Sequence, residues 1–217
     1  MIDKRENGVK TVVCYGDSNT WGADPSSPDR FAHDVRWTAV LARELGGDYR
    51  VVEEGLNGRT TVVDDINEPN RNGYKQLIPV LESQQPIDLV IIMLGTNDLK
   101  ARHNRAAADI GQSVSLLANT ARSTLFGPKQ SRPKVLILCP PPIATLTDLD
   151  GMFAGALEKS LEMPRYYELA ALWSESDYLN TGDHIHSSDA DGIHFDQDQL
   201  ELLGKAVAAK VKEIFEK

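Results

Sequence analysis

This sequence predicts a three-layer α/β/α fold on a mostly parallel sheet of five strands, and three observations predict it. Short apolar, β-rich runs alternate with longer stretches of helical spacing, as in successive βαβ units. The runs are apolar at consecutive positions, as strands covered by helices on both faces are. Glycine or proline closes the first four of them, at Gly16, Gly55, Gly95 and Pro140.

Thr11 to Tyr15 is the first strand, ended by Gly16. Arg36 to Leu45 carries Trp37, Val40, Leu41 and Leu45 on one helical face and closes on Gly46-Gly47. Arg50 to Glu53 is the second strand. Residues 56–75 hold two Asn-Gly pairs and read as irregular chain. Tyr74 to Glu82 has helical character. Asp88 to Leu94 is the most apolar strand, and Ala106 to Ser123 reads as a long helix. Lys134 to Cys139 is the fourth strand, stopped by Pro140-Pro141-Pro142. Leu149 to Leu172 reads as helical with an interruption near Pro164, and Ser176 to Leu179 as a short fifth strand. The last helix runs from Asp196 to Phe215, with Asp196 and Gln199 at capping-box spacing.

The 217 residues fit one domain, taken as 1–217, with a full hydrophobic core. The formal charge of −9 opposes binding to phosphate backbones, so nucleic acid is not an expected partner. No apolar run approaches the ~18 residues of a membrane span. Met1 to Gly8 has no apolar stretch of leader length. Cys14 and Cys139 lie inside apolar strands and read as reduced core residues. A cytoplasmic protein with no membrane association is the expectation.

In such sheets, ligands bind beyond the carboxyl ends of the strands, and four segments there carry chemistry. Gly16-Asp17-Ser18-Asn19-Thr20-Trp21-Gly22 sets a serine in a tight turn after the first strand; Ser18 can be a nucleophile or a helix cap. The segment lacks the Gly-Lys-Ser ending of a phosphate loop. Gly58, in Asn57-Gly58-Arg59, can present its N–H to a ligand or simply complete an Asn-Gly turn. Asn97, in Gly95-Thr96-Asn97-Asp98, can donate to a developing oxyanion or cap a helix. In Asp191-Gly192-Ile193-His194 the carboxylate is within one turn of the imidazole and can fix its tautomer, leaving Nε2 free as a base, or can simply satisfy a surface histidine.

Taken in order, these segments resemble the four marker blocks of the SGNH hydrolase superfamily, the GDSL-type esterases and lipases, over Thr11 to Phe195. The resemblance implies a flavodoxin-like fold, with Ser18 as nucleophile, His194 as its base and Asp191 as the orienter of His194. It also implies an oxyanion hole of the Ser18 and Gly58 N–H groups and the Asn97 side chain. Arg36-Trp37, Glu53-Glu54-Gly55, Arg59-Thr60-Thr61 and Ile91 to Asp98 resemble the bacterial arylesterase and acyltransferase branch. Asn19 stands where the name of the motif has Leu, and Ala23 where that branch often has a bulky aromatic residue.

The implied reaction is hydrolysis of small carboxylic esters (aryl, short-chain alkyl or acetyl) through an acyl-enzyme on Ser18, with transfer to alcohols as a variant. The same triad would also serve a carbohydrate acetylesterase or a thioesterase. No cofactor or metal is required. Asp17, Asn19, Trp21, Thr96, Lys100 and Ile193 flank the motifs and are expected at the substrate pocket, with Ile143 in core packing. Asp24 to Asp34, with Pro25 and Pro28, reads as a substrate-side or subunit-contact loop, and a homo-oligomer is expected by resemblance.

Three other readings compete. His184, His186, Asp191 and His194 are of metal-ligand type and could serve a metal hydrolase. Ser187, Asp189, Asp191, Gly192 and Asp198 approach a calcium-loop spacing, with Ser and Asp in place of the first Asp and the final Glu. A non-catalytic binding module could use the same fold. His33 and His103 read as solvated loop residues.

Overall fold

The computed structural model describes residues 8–216; the reading of Met1 to Asn7 as lacking a leader lies outside them. Five strands form one parallel sheet: β1 (Lys10–Gly16), β2 (Tyr49–Gly55), β3 (Leu89–Met93), β4 (Lys134–Cys139) and β5 (Asp177–Asn180), in the order β2-β1-β3-β4-β5. The longer helices are α2 (Trp37–Leu45), α3 (Gly73–Ser83), α4 (Ala107–Ser123), α5 (Ala156–Trp173) and α6 (Gln197–Glu216), with a single-turn α1 (Ser18–Trp21) after β1.

Successive strand residues point to opposite faces, and the core divides accordingly. Val13, Tyr15, Val90, Ile92, Val135 and Ile137 pack with α3, α4 and α5. Val12, Cys14, Leu89, Ile91, Leu136 and Leu138 pack with Trp37 and Leu41 of α2 and Leu203 and Val207 of α6. Burial on both faces explains the uninterrupted apolar runs of the inner strands. Cys14 and Cys139 are free, buried and in different halves of this core. Burial pushes both thiols up. Among the described residues no helix is long and apolar enough to cross a membrane.

Two expectations need correction. The interruption near Pro164 is absent: α5 starts at Ala156 and runs to Trp173. Proline removes one hydrogen bond, to the carbonyl four residues back. Neighbouring contacts compensate: Met163, Tyr167 and Ala170 are buried, Tyr167 Oη donates to Leu94 O (2.6 Å) and Tyr178 Oη donates to Pro164 O (3.1 Å). The capping-box partner of Asp196 is used otherwise. Gln199 Oε1 accepts from His186 N–H (3.1 Å), while the Asp196 carboxylate accepts from Ser188 Oγ (2.9 Å). Both contacts tie the start of α6 to the preceding loop.

The chain reverses its direction across the sheet at β1, which lies between β2 and β3. The ends of β1, β2 and β3 therefore open onto one crevice.

Candidate active site

Ser18 is the first residue of α1, directly beyond β1. Asp17 caps the turn, its Oδ1 accepting from Asn19 N–H (3.0 Å), and Gly22 closes it. The turn lies so close to the end of β2 that a Cβ on Gly55 would come within 2.1 Å of Trp21 N. Glycine there is a condition for placing Ser18.

His194 comes from the loop before α6. Its Nε2 lies 2.9 Å from Ser18 Oγ, and its Nδ1 lies 2.5 Å from Asp191 Oδ2. Asp191 Oδ1 accepts from the N–H groups of Ile193 (2.8 Å) and His194 (2.9 Å), so the carboxylate is held from both sides. Burial pushes this carboxyl upward, but the His194 ring and the two N–H groups outweigh it and hold the group below its ordinary value. Asn19 Nδ2 donates to Ile193 O (3.3 Å), fastening the serine turn to the histidine loop.

Gly58 has φ +75°, a conformation that suits glycine. Asn97 Nδ2 donates to Arg59 O (3.2 Å) and stands 3.5 Å from Asp17 Oδ2. Among the described residues no hydrogen bond within the protein engages the N–H groups of Ser18 and Gly58. Both residues line the same cleft, where such N–H groups can serve as donors to an oxyanion. Ser18, Gly58, Asn97, Asp191 and His194 all line one cleft of about 670 Å³.

The walls of the cleft include part of the Asp24 to Asp34 loop, on the substrate side as one of its two readings has it. Residues 24–29 form one side. Their base is pinned by Arg30, whose Nε donates to Trp21 O (2.7 Å) and whose guanidinium lies 4.7 Å from the Trp21 ring centroid. Arg30 and Arg36 both pair with Glu53, which gives the Arg36 and Glu53 positions of the branch signature a physical purpose. Thr147 to Leu149, Met152, Phe153 and Ala190 form another side. Glu68 and Asn57 complete the lining.

Of the flanking residues expected at the pocket, Trp21, Lys100 and Ile193 line it. Asp17, Asn19 and Thr96 do not; they are buried behind it. Lys100 is 4% exposed and gives its ammonium to Glu68 (2.7 Å). Ile143 packs in the core. His103 is a correction: its side chain is 5% exposed, with Nε2 3.3 Å from Asp65 Oδ2, because its partner arrives from a loop 38 residues earlier. His33 is exposed. The metal reading is not assembled: His184 and His186 are exposed, and no group of three potential ligands gathers among the described residues. The calcium-loop reading fails on Asp191, whose carboxylate is committed to His194.

Two buried carboxyls underlie the site. Burial pushes Asp17 up to about 6, against the Asn19 N–H bond, and pushes Asp98 up to about 6, against the Thr61 hydroxyl and N–H donors. A carboxyl raised in the folded state destabilises that state when ionised, and the cost is relieved progressively as pH falls from its folded value toward its ordinary one. His103, lowered by burial, acts in the opposite sense. Comparison with Asp98→Asn isolates the carboxyl. Between pH 7.5 and 5, the parent should gain about 1–1.5 kcal/mol relative to that variant. Thermal melts at the two pH values measure this, and equal shifts in both proteins would refute it.

A sequence model of the GDSL-like lipase/acylhydrolase family matches residues 14–199. Among solved structures, the M. smegmatis aryl esterase superposes with a TM-score of 0.91 at 40% identity, over 94% of this chain and 99% of that one. A carbohydrate acetylesterase from Sinorhizobium meliloti does so with a TM-score of 0.91 at 39% identity, again over 94% and 99%. The acetylxylan esterase of Xylanibacter ruminicola is 24% identical over 96% of this chain and 44% of its own length. This chain thus spans less than half of that curated relative.

Proposed function

The chain belongs to the GDSL-like lipase/acylhydrolase family, and from that premise we propose that it is a serine esterase acting on small carboxylic esters through an acyl-enzyme on Ser18. The observation that carries this reading is the continuous path Asp191–His194–Ser18, at 2.5 and 2.9 Å, ending beside the two unpaired N–H groups.

Ser18 Oγ attacks the ester carbonyl as His194 Nε2 takes its proton. The tetrahedral oxyanion accepts hydrogen bonds from the Ser18 and Gly58 N–H groups and from Asn97 Nδ2. His194 then returns the proton to the departing alcohol. Water, activated by the same nitrogen, cleaves the acyl-enzyme and regenerates Ser18. Where an alcohol takes the place of that water, the acyl group is transferred instead.

Aryl, short-chain alkyl and acetyl esters are the proposed substrates, the aryl and acetyl classes being supported by the named activities of the similar proteins. A carbohydrate acetyl ester is the second reading, favoured by the polar wall of Asp24, Ser26, Ser27 and Asp29. A thioester would use the same chemistry. A cytoplasmic location, a homo-oligomeric state and the lack of nucleic-acid or membrane partners are further parts of the proposal.

A panel of esters with varied acyl and alcohol parts, run with and without an added alcohol, tests the substrate assignment. We expect kcat/KM to be highest for acetyl and other short acyl groups. A clear preference for long acyl chains would reject it.

A further inference from the structure

A cluster of buried charge lies beside the cleft and takes no part in the proton path. Asp65 is at its centre, with a side chain 0% exposed. Its Oδ1 accepts from the N–H groups of Asn67 (2.9 Å) and Glu68 (3.2 Å), folding residues 65–68 into a tight turn. Arg102 grips the same carboxylate with Nε and Nη2, at 3.1 and 2.5 Å. Lys100 Nζ and His103 Nε2 approach it at 3.9 and 3.3 Å. Burial pushes the Asp65 carboxyl up, but Arg102 and the two N–H donors bring it down to about 2.

Glu68 extends the cluster to the cleft. Its Oε1 accepts from both Lys100 Nζ and Arg102 Nη2, each at 2.7 Å. Its Oε2 lies against Gly58, only 2.3 Å from where a Cβ on that residue would stand. The cluster therefore touches both segments that supply oxyanion donors. Asp65 and Glu68 belong to the loop that follows Gly58, whereas Lys100, Arg102 and His103 follow Asn97 within six residues. These segments come from the ends of β2 and β3, which are not neighbours in the sheet.

We propose that Asp65 and Glu68 are positioning residues that, through Lys100 and Arg102, hold the Gly58 loop and the Asn97 turn at the spacing an oxyanion requires. Neither residue meets the reacting atoms. Both act through Gly58 and Asn97, and the proposal rests on the oxyanion hole described above. Misplacing catalytic groups by about 1 Å can cost up to 10²-fold in rate, and the loss falls on the transition state more than on the bound substrate.

The test uses Asp65→Asn and Glu68→Gln in the full chain, each also combined with Asn97→Ala, with neutral acetate ester turnover and inhibition by a simple boronic acid as readouts. The boronic acid adds to Ser18 and mimics the tetrahedral species. We expect kcat to fall about tenfold or more for Asp65→Asn and severalfold for Glu68→Gln, with KM within about twofold and boronate affinity falling in step with kcat. In the Asn97→Ala background the losses should shrink, because a donor being positioned is gone. Should Asp65→Asn fail to fold, Glu68→Gln, whose side chain is 34% exposed, decides the matter. Folded variants with parental kcat and boronate affinity, or losses undiminished by Asn97→Ala, overturn the proposal. If Asn97→Ala alone leaves kcat intact, the oxyanion hole itself has been misassigned.

Discussion

Replacing Ser18 by alanine is expected to lower kcat on a nitrophenyl acetate by about 10⁴–10⁶-fold with little change in KM. The substitution removes one oxygen and little else. Alanine keeps the N–H at the head of α1, Asp17 still caps the turn through Asn19 N–H, and Gly22 still closes it. The Gly58 N–H and Asn97 remain, so a residual rate about 10³-fold above water should survive from the oxyanion donors and binding. Steady-state kinetics with a fluorophosphonate label on the parent and the variant provide the measurement. Turnover within tenfold of the parent, or equal labelling of the variant, would remove Ser18 from its role.

Asp191→Asn should be nearly as severe, with kcat reduced by about 10³–10⁴-fold. The reason lies in how the carboxylate is held. Oδ1 accepts from two backbone N–H groups, Ile193 and His194, whereas Oδ2 faces His194 Nδ1. In an asparagine the carbonyl oxygen must keep the first position, because an NH₂ there would oppose two donors. The NH₂ then faces Nδ1 and donates to it, which places the imidazole proton on Nε2. A protonated Nε2 cannot accept the Ser18 proton. Ring nitrogen chemical shifts of His194 should report the change of tautomer alongside the kinetics; a variant that keeps both the tautomer and the rate would contradict this account.

Much of the architecture was legible because the determinants are local. The inner strands are apolar at consecutive positions and end at glycine or proline, so their place in a covered parallel sheet follows from pattern alone. Ser18, Gly58, Asn97 and the Asp191–His194 pair each left a structural alternative open when read alone; together they were legible only through their order along the chain, which resembles the four SGNH marker blocks. What escaped depends on partners distant in sequence. His103 looks solvated until Asp65 arrives beside it. Lys100 lines the cleft, but that its charge is met by Glu68, 32 residues away, does not follow from local spacing. The Asp24 to Asp34 loop was legible as a substrate-side or subunit-contact segment, but its anchor, Glu53, sits on β2 and was not. Pro164 reads as a break because proline is costly within a helix, and only the packing of Tyr167 against Leu94 shows why the helix continues.

The serine and the histidine that share a hydrogen bond are separated by 176 positions, and Asn19 reaches Ile193 across 174. Any stretch of chain that holds the Ser18 turn without the Asp191–His194 loop therefore lacks the base that the proposed reaction requires. On the proposed mechanism, reactivity at Ser18 arrives only once the loop before α6 has closed on the turn after β1.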